Sequence, residues 1–514
     1  MDRAELSAAI IADAGETVRA LVCSALPTLL SADLADLEQQ LQALGRVLWG
    51  HVVEEIIRVR AADAAEESGP VCCATCGRPM RRVDAARARQ VQGLVGDYTL
   101  RRAYYHCALC GQGQAPLDAQ VGLGTGALSP ALLRVVCRAG IENSFADAAD
   151  LVQEAVGAVV SADSAGRATE RMGAVAEAAT QEAIARVQHG HAAWPWTAVE
   201  GEDPPVSGVI AVEVDGVLVH RDDGWHEMKV VTVAPLGPGL CRDQTKGRAH
   251  LTWGHASYGA GFESAEDFWY RAYVEACRRG LDTPTVQTVV VLGDGAEWIW
   301  QRAATFLGGG HREVVEIVDI YHAYGYLWDA GTALFGAGTP ETVRWVEDLK
   351  DQLYDQGVAP ILAALDASQP TTAEAAEAVR IAHGYFTTHA ARMDYPRFVA
   401  RLFPIGSGAV ESTCKSLVEA RAKQAGMRWS RSGAQTVLSL RALQRSGRWA
   451  TFWPTQPQRR HLQLCPHTRP RRIPRAVPTA PPLTPPVVAL CPVAPATRPK
   501  PTARQRPLVL PRSA

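Results

Sequence analysis

Two acids stand where a buried strand should have none. The stretch VIAVEVDGVLVH, residues 209–220, is a run of branched apolar residues with Glu213 and Asp215 at its centre. A second apolar run, TVVVLGDGAEWIW, passes Asp294 in a Gly-Asp-Gly turn, and Glu411 follows Ser407 in FPIGSGAVES. Carboxylates gathered from such places are costly to bury side by side without cations. With two divalent ions about 3.5 to 4 Å apart they can run phosphodiester chemistry. One ion lowers the pKa of an attacking water or 3′-hydroxyl, and the other stabilises charge on the leaving oxygen. Asp215, Asp294 and Glu411 are therefore the candidate catalytic acids and the candidate ligands of Mg2+ (or Mn2+). Glu213, two residues from Asp215, shares its face of a regular strand; it is either a further site acid or the partner of an arginine. Glu297, one helical turn past Asp294, reads as an acid favoured at a helix N-terminus.

A different chemistry is written in the cysteines. Of twelve, four form two close pairs, CATC (Cys73, Cys76) and CALC (Cys107, Cys110), each followed by glycine. Two such turns can point four thiolates at one tetrahedral Zn2+, and the glycines help them close. The intervening RQVQGLVGDYTLRRAYYHC reads as a hairpin with a Gly-Asp turn and exposed arginines, the layout of a zinc ribbon. A redox pair or incidental core cysteines are the alternatives, and Cys72, beside Cys73, leaves the register open.

Beyond Glu411 the chain supplies Lys415, Arg421, Lys423, Arg428, Arg431, Arg441, Arg445 and Arg448, with Trp429, Trp449 and Trp453 interleaved. Cations near acids favour a phosphate backbone, and aromatic rings can stack on unpaired bases. Lys415 and Arg421, within three turns of Glu411 on one helix, are the first phosphate candidates, with Lys423 and Arg428 after them; Trp449 and Trp453 read as core.

The elements that must position these groups divide the chain. At 514 residues it exceeds one core, and 47% apolar residues are ordinary for a globular protein. Residues 1–66 carry apolar positions at helical spacing in LEQQLQALGRVLWGHVVEEIIRVRAA, a packing or dimerising helix. The ribbon occupies 67–125. Residues 126–195 are helical, and 144–179 resemble a helix-turn-helix whose second helix, capped by Ser161 or Asp163, would present Ser164, Arg167, Thr169 and Arg171 to DNA. From 196 to 453 strands predominate first: 209–220, 225–236, 248–259, the run ending at Asp294, and EVVEIVDIYH (313–322). A helical stretch at about 325–400 precedes the helix of Glu411. Acids on a first strand, a fourth strand and a late helix follow the plan of RNase H-like nucleases, so the fold class expected is a multidomain α+β/α/β chain with an RNase H-like catalytic core. Residues 454–514 hold eleven Lys/Arg, no Asp or Glu and half of the 32 prolines, the composition of a disordered basic tail. The net charge of −2 thus leaves −2 − 11 = −13 on the first 453 residues. The acidic N-terminus lacks the pattern of a signal peptide and no run approaches membrane length, so a cytoplasmic protein with no membrane partner is expected.

DGV on the first strand, GDGAEWIW on the fourth, DIYHAYGYLW on the fifth and GSGAVES with GMRWSRSGAQTVLSLRAL at the end, together with the cysteine pairs, resemble the Kra-type insertion-sequence transposases. These are relatives of the Mutator-like DDE transposases, and the resemblance covers roughly residues 70–453. It implies a DDE triad on an RNase H-like fold, an all-helical insertion after the fifth strand, Mg2+ dependence, and cutting and joining of DNA at transposon ends in a bacterial nucleoid. Asp215, Asp294 and Glu411 match the triad. Asp319 and His322 match the family's Asp-x-x-His motif, in supporting or substrate-positioning roles; a core position for His322 is the alternative. The triple glycine in FLGGGHREVVEIVD departs from the family's shorter link. The expected partners are terminal inverted repeats and target DNA, bound by a homo-oligomer with the helix-turn-helix and ribbon reading the ends. Two other readings use the same residues: an RNase H-fold nuclease without strand transfer, and a non-enzymatic DNA-binding protein descended from a transposase.

Overall fold

Helical spacing in the first residues produces α1 (Arg3–Leu29) and α2 (Leu34–Glu67), which pack on each other. The computed structural model describes residues 3–67, 71–190, 208–242, 249–309 and 312–453, all within the first of two units, Met1–Cys465. The basic tail expected at 454–514 and Gly310 of the triple glycine lie outside the described residues. Arg46 of α2 donates to the carbonyls of Leu94 (2.9 Å) and Val156 (3.0 Å), tying the helix to the two modules that follow.

The cysteine region folds as β1 (Arg81–Gln92), β2 (Asp97–His106) and the short β3 (Gly113–Gln114), an antiparallel sheet in that order. Asp118 of α3 (Pro116–Gln120) accepts from Arg89 (2.7 Å) and Arg102 (2.6 Å), pinning the two long strands. Three helices come next: α4 (Pro130–Gly140), α5 (Phe145–Val156) and α6 (Ala162–Gln188). Ser144 and Ser161 cap the last two, and Gly157 ends α5 at φ +66°, where a side chain would be strained.

The central sheet runs through β4 (Val209–Arg221), β5 (Gly224–Arg242), β6 (Ala249–Trp253) and β7 (Ser257–Gly261), then α7 (Ala265–Cys277), β8 (Thr288–Gly293), α8 (Glu297–Leu307) and β9 (Glu313–Val318). Its order is β6-β5-β4-β8-β9, with β7 also on β5; β4 is antiparallel to β5 and parallel to β8, as β8 is to β9. The single strand expected over 248–259 is therefore two, since Gly254 breaks the run where its amide turns to the Pro235 carbonyl (2.8 Å). The strand expected to reach His322 likewise stops at Val318, because Asp319 caps the next helix.

That helix is α9 (Ile320–Phe335), followed by α10 (Pro340–Gln356), α11 (Ala359–Asp366), α12 (Ala373–His389) and α13 (Tyr395–Ala400). The chain then returns through α14 (Gly408–Thr413), a π-helical turn (Cys414–Glu419) and α15 (Ala420–Ala422), and closes with α16 (Arg431–Arg445) and α17 (Trp449–Phe452). One core joins Val212, Val290 and Ile317 of the sheet to Phe268 and Leu327 of the flanking helices. A second joins Leu132, Val152 and Met172 of α4 to α6 with Leu440 and Phe452 from the far end of the chain. Trp449 and Trp453 pack against that second core, the place expected for them. At the contact of α6 with α16, a side chain on Gly173 would meet the Thr436 carbonyl at 2.1 Å, so only glycine allows the approach.

Candidate active site

Register places three acids at one level of the sheet. Pairing of β4 with β8 ends at Glu213 and Leu292, so Asp215, two residues on, lies beside the turn holding Asp294. Pairing of β8 with β9 ends at Gly293 and Val318, and Asp319 follows, its amide donating to the Gly293 carbonyl (2.8 Å). The carboxyl ends of parallel strands are where such sheets place their sites.

Each acid is held by its own backbone. Asp215 accepts from the Gly216 amide (2.7 Å) and lies 3.5 Å from the Cys414 thiol. Asp294 accepts from the Ala296 amide (2.9 Å), with Gly295 turning at φ +106°. Asp319 accepts from the Tyr321 amide (3.0 Å) and the Ser407 hydroxyl (2.9 Å), which brings the glycine-rich return segment onto the sheet. Glu411, in the first turn of α14, is exposed and 3.8 Å from Lys415. His322 is exposed rather than in the core; its ring lies 5.7 Å from Tyr326 and 6.1 Å from Tyr385.

Glu213 lies behind the site and supports the segment that carries Glu411. It is 0% exposed, and its Oε2 accepts from the Val410 amide (2.7 Å), capping the helix that carries Glu411; its Oε1 is buried without a hydrogen-bond partner. No arginine pairs with it among the described residues. Burial pushes its carboxyl up to about 8, against the amides of Val410 and Ala409 and with the charges of Asp319 and Glu411 adding to the rise. Burial also raises Asp215, helped by the charges of Asp294 and Glu411, and raises Asp319, helped by Glu411. The acids thus sense one another as like charges.

Sequence reasoning missed the contribution of the helices after β9. The Tyr385 hydroxyl of α12 donates to the Asp294 carbonyl (2.9 Å), and its ring stacks on Tyr326 of α9 at 3.9 Å. His389, buried beside them, has an Nδ1 without a partner. No local motif marks these residues; only the return of α12 over the sheet brings them in.

The donor set fits hard divalent cations: Asp215, Asp294 and Glu411 are carboxylates from three elements, and the charges of the last two help raise the first. Among the described residues, however, only Cys73, Cys76, Cys107 and Cys110 bring three or more donor atoms all within 4.8 Å of one another. Those four could hold a structural zinc ion. Their two turns are alike: the Gly77 and Gly111 amides donate to the Cys73 and Cys107 carbonyls (2.9 and 3.0 Å), with both glycines near φ +70°. The backbone amides of Cys76 and Thr75 hold the Cys73 thiol down to about 6, and those of Cys110 and Leu109 lower Cys107. Cys73, not Cys72, is the cluster member; the Cys72 carbonyl accepts from Gln114 (3.1 Å).

The cations expected to meet DNA separate into two groups. Lys415, Lys423 and Arg428 are exposed, Lys423 beside Glu419 (2.7 Å). Arg421 is not available: it is 0% exposed, donates to the Gly140 carbonyl (2.9 Å) and lies 4.8 Å over both Phe145 and Trp429. The π-helical turn between Glu411 and Arg421 breaks the regular helical phase that would have kept them on related faces. On α6, Arg167 is exposed beside Asp163 and Arg171 is exposed near Gly126, but Thr169 is buried against Gly140, so the helix does not present all four expected residues. Exposed arginines instead crowd the ribbon, at Arg78, Arg81, Arg82, Arg87 and Arg101.

No helix among the described residues is long and apolar enough to cross a membrane. Among curated proteins none matches this chain. The model of the uncharacterised protein family UPF0236 matches residues 35–451, most of the chain and all of the acids and cysteines described above, and the protein belongs to that family.

Proposed function

We propose that this protein is a DDE transposase of the Kra type, which binds the ends of its element, cleaves DNA phosphodiesters and joins the freed 3′-hydroxyl to target DNA. The observation that carries the reading is the register that sets Asp215 of β4 beside the turn of Asp294 after β8, with Glu411 of α14 close enough for its charge to help raise Asp215. The sheet supports an RNase H-like core: β4, β8 and β9 are parallel and β5 is antiparallel to β4, with helices α9 to α13 inserted before Glu411, although the split into β6 and β7 makes β8 and β9 the fifth and sixth strands in chain order rather than the expected fourth and fifth.

Asp215, Asp294 and Glu411 would hold Mg2+ or Mn2+, whose chemistry is to acidify the attacking hydroxyl and neutralise the leaving oxygen. The charges of Asp294 and Glu411, which help raise Asp215, are what bound cations would offset. The protein's part is positioning. Glu213 sets the start of α14, Asp319 and Ser407 lock the segment before it, and Tyr385 braces the turn of Asp294. Lys415, Lys423, Arg428 and the ribbon arginines would hold phosphates, and Arg167 and Arg171 would extend that surface along α6. Self-association on DNA is supported by α1, α2 and the turn between them, which expose Ile11, Leu30 (78%), Leu34 and Trp49.

A nuclease without strand transfer would use the same acids. Labelled duplexes ending in the inverted repeats that flank the gene, incubated with Mg2+ and a target plasmid, separate the two. Joined products support the transposase; cut ends alone favour the nuclease; neither, with the acids intact, leaves a DNA-binding protein.

A further inference from the structure

We propose that the cavity beside Asp319 holds one nucleobase turned out of the duplex next to the phosphate being cut. This rests on the reading of the acid site as a DNA-cleaving centre. The cavity has a volume of about 230 Å3 and lies between β6, the first turn of α9, α10, α13 and the segment 403–409. Its walls are aromatic: Trp253, Tyr321, Tyr354 and Phe403, with His250 as a polar neighbour anchored through Nδ1 to the Leu251 carbonyl (2.8 Å). Its floor is small, being Gly406, Gly408 and Ala409.

That floor is also the wall of the acid site. A side chain on Gly406 would begin 2.7 Å from the Tyr321 ring on one side and 3.6 Å from Asp319 Oδ1 on the other. Glycine is thus required for the ring to lie against the backbone, and one residue's thickness separates cavity from carboxylate. Gly408 and Ala409 lead directly into the first turn of α14, which holds Glu411. Tyr321 adds a second tie, since its amide donates to Asp319 while the residue stays 51% exposed.

Flat aromatic walls with a polar edge select a flat aromatic ligand, and a cavity of this size excludes a duplex. Asp215 and Asp294 are half-buried and Glu411 is exposed, so the phosphate being cut would lie at the surface beside the cavity. A base entering the cavity from a duplex on that surface has to leave the stack.

The test uses the full chain and duplexes of the inverted repeat carrying 2-aminopurine at successive positions around the cut. With wild-type protein, one position adjacent to the cut should change its fluorescence at least about twofold on binding. The double variant Trp253→Ala with Tyr321→Ala should bind the duplex, followed by anisotropy, yet lose that change and cut at least about tenfold more slowly. An abasic nucleotide at the same position should return most of the lost rate, and Tyr321→Phe should behave as wild type. Gly406→Ala, which displaces the ring without removing it, should reproduce the defect. If wild type cuts the duplex while no 2-aminopurine position responds, or the double variant cuts as wild type does, the pocket assignment is overturned and the acid site stands. If wild type neither binds nor cuts any duplex, the reading of the acid site falls and the pocket with it.

Discussion

Glu213 and Asp215 share a face of β4 and have different surroundings. Side-chain alternation showed that they share it; which one meets Val410 is decided by a helix nearly 200 positions away, and no local pattern carries that. Asp215→Asn, Asp294→Asn and Glu411→Gln are each expected to lower DNA cleavage by roughly 1,000-fold or more, because groups acting as one unit fail together. Glu213→Gln keeps an acceptor for the Val410 amide and should retain measurable cleavage, while Glu213→Ala orphans that amide and should lower stability by about 1 to 3 kcal/mol. Urea unfolding beside a cleavage assay distinguishes the two. Arg421 is the opposite lesson. Its charge read as a phosphate contact, but burial, with Arg441 nearby, lowers its pKa to about 10 and its partners are a carbonyl and two rings. Arg421→Ala should cost about 1.5 to 3 kcal/mol of stability and leave the salt dependence of DNA binding unchanged; a shallower salt dependence in a stably folded variant would contradict the structural role.

Elements with strong local grammar were readable. The two CxxC-Gly turns, the Ser161 cap of α6 and the strand β8 lie where the sequence placed them, because their geometry is settled by neighbours in sequence. Junctions were harder: EVVEIVDIYH reads as one strand until Asp319 takes the amide of Tyr321, and the π-helical turn after Glu411 leaves no compositional trace. Chelation of zinc should unfold the turns around Cys73 and Cys107 and weaken DNA binding, while leaving the unfolding midpoint of the central sheet within experimental error. Thiol titration at one metal equivalent per chain, with circular dichroism, checks this. On α7, burial alone would raise Glu275, but Arg278 and Arg448 with the Ser257 hydroxyl hold it down to about 2. Its folded pKa lies below the unfolded value, so its contribution is present above about pH 4.5 and is lost as pH falls toward 2. Glu275→Gln should flatten the stability curve in that window and cost about 3 kcal/mol at neutral pH, since two half-buried arginines lose their buried counter-charge.

At the scale of the whole molecule, regions that read as consecutive modules are interleaved. Met172 of α6 shares a core with Leu440 and Phe452, Glu177 pairs with Arg271 of α7 at 2.6 Å, and Arg421 reaches back to Gly140. Composition could not foretell this, because long-range closure leaves apolar periodicity unchanged. Charge is uneven as well: the first 453 residues are net acidic, yet the ribbon and the surface after Glu411 expose arginine and lysine. Replacing Arg81 and Arg82 by glutamine should each reduce the slope of log affinity against log salt by about 1, measured on inverted-repeat duplex.

The single helix α6 has one more consequence. Arg171, Met172 and Val175 border the ribbon, and Ala183 and Ile184 pack on α7 beside the central sheet. The stretch of helix from Arg171 to Ala183 rises about 18 Å, roughly five base pairs of DNA. It cannot stretch, and each added residue would swing everything beyond it by about 100°. In the proposed reaction α6 is a gauge with two settings, distance and rotational phase, and an element's ends must be cut to its measure.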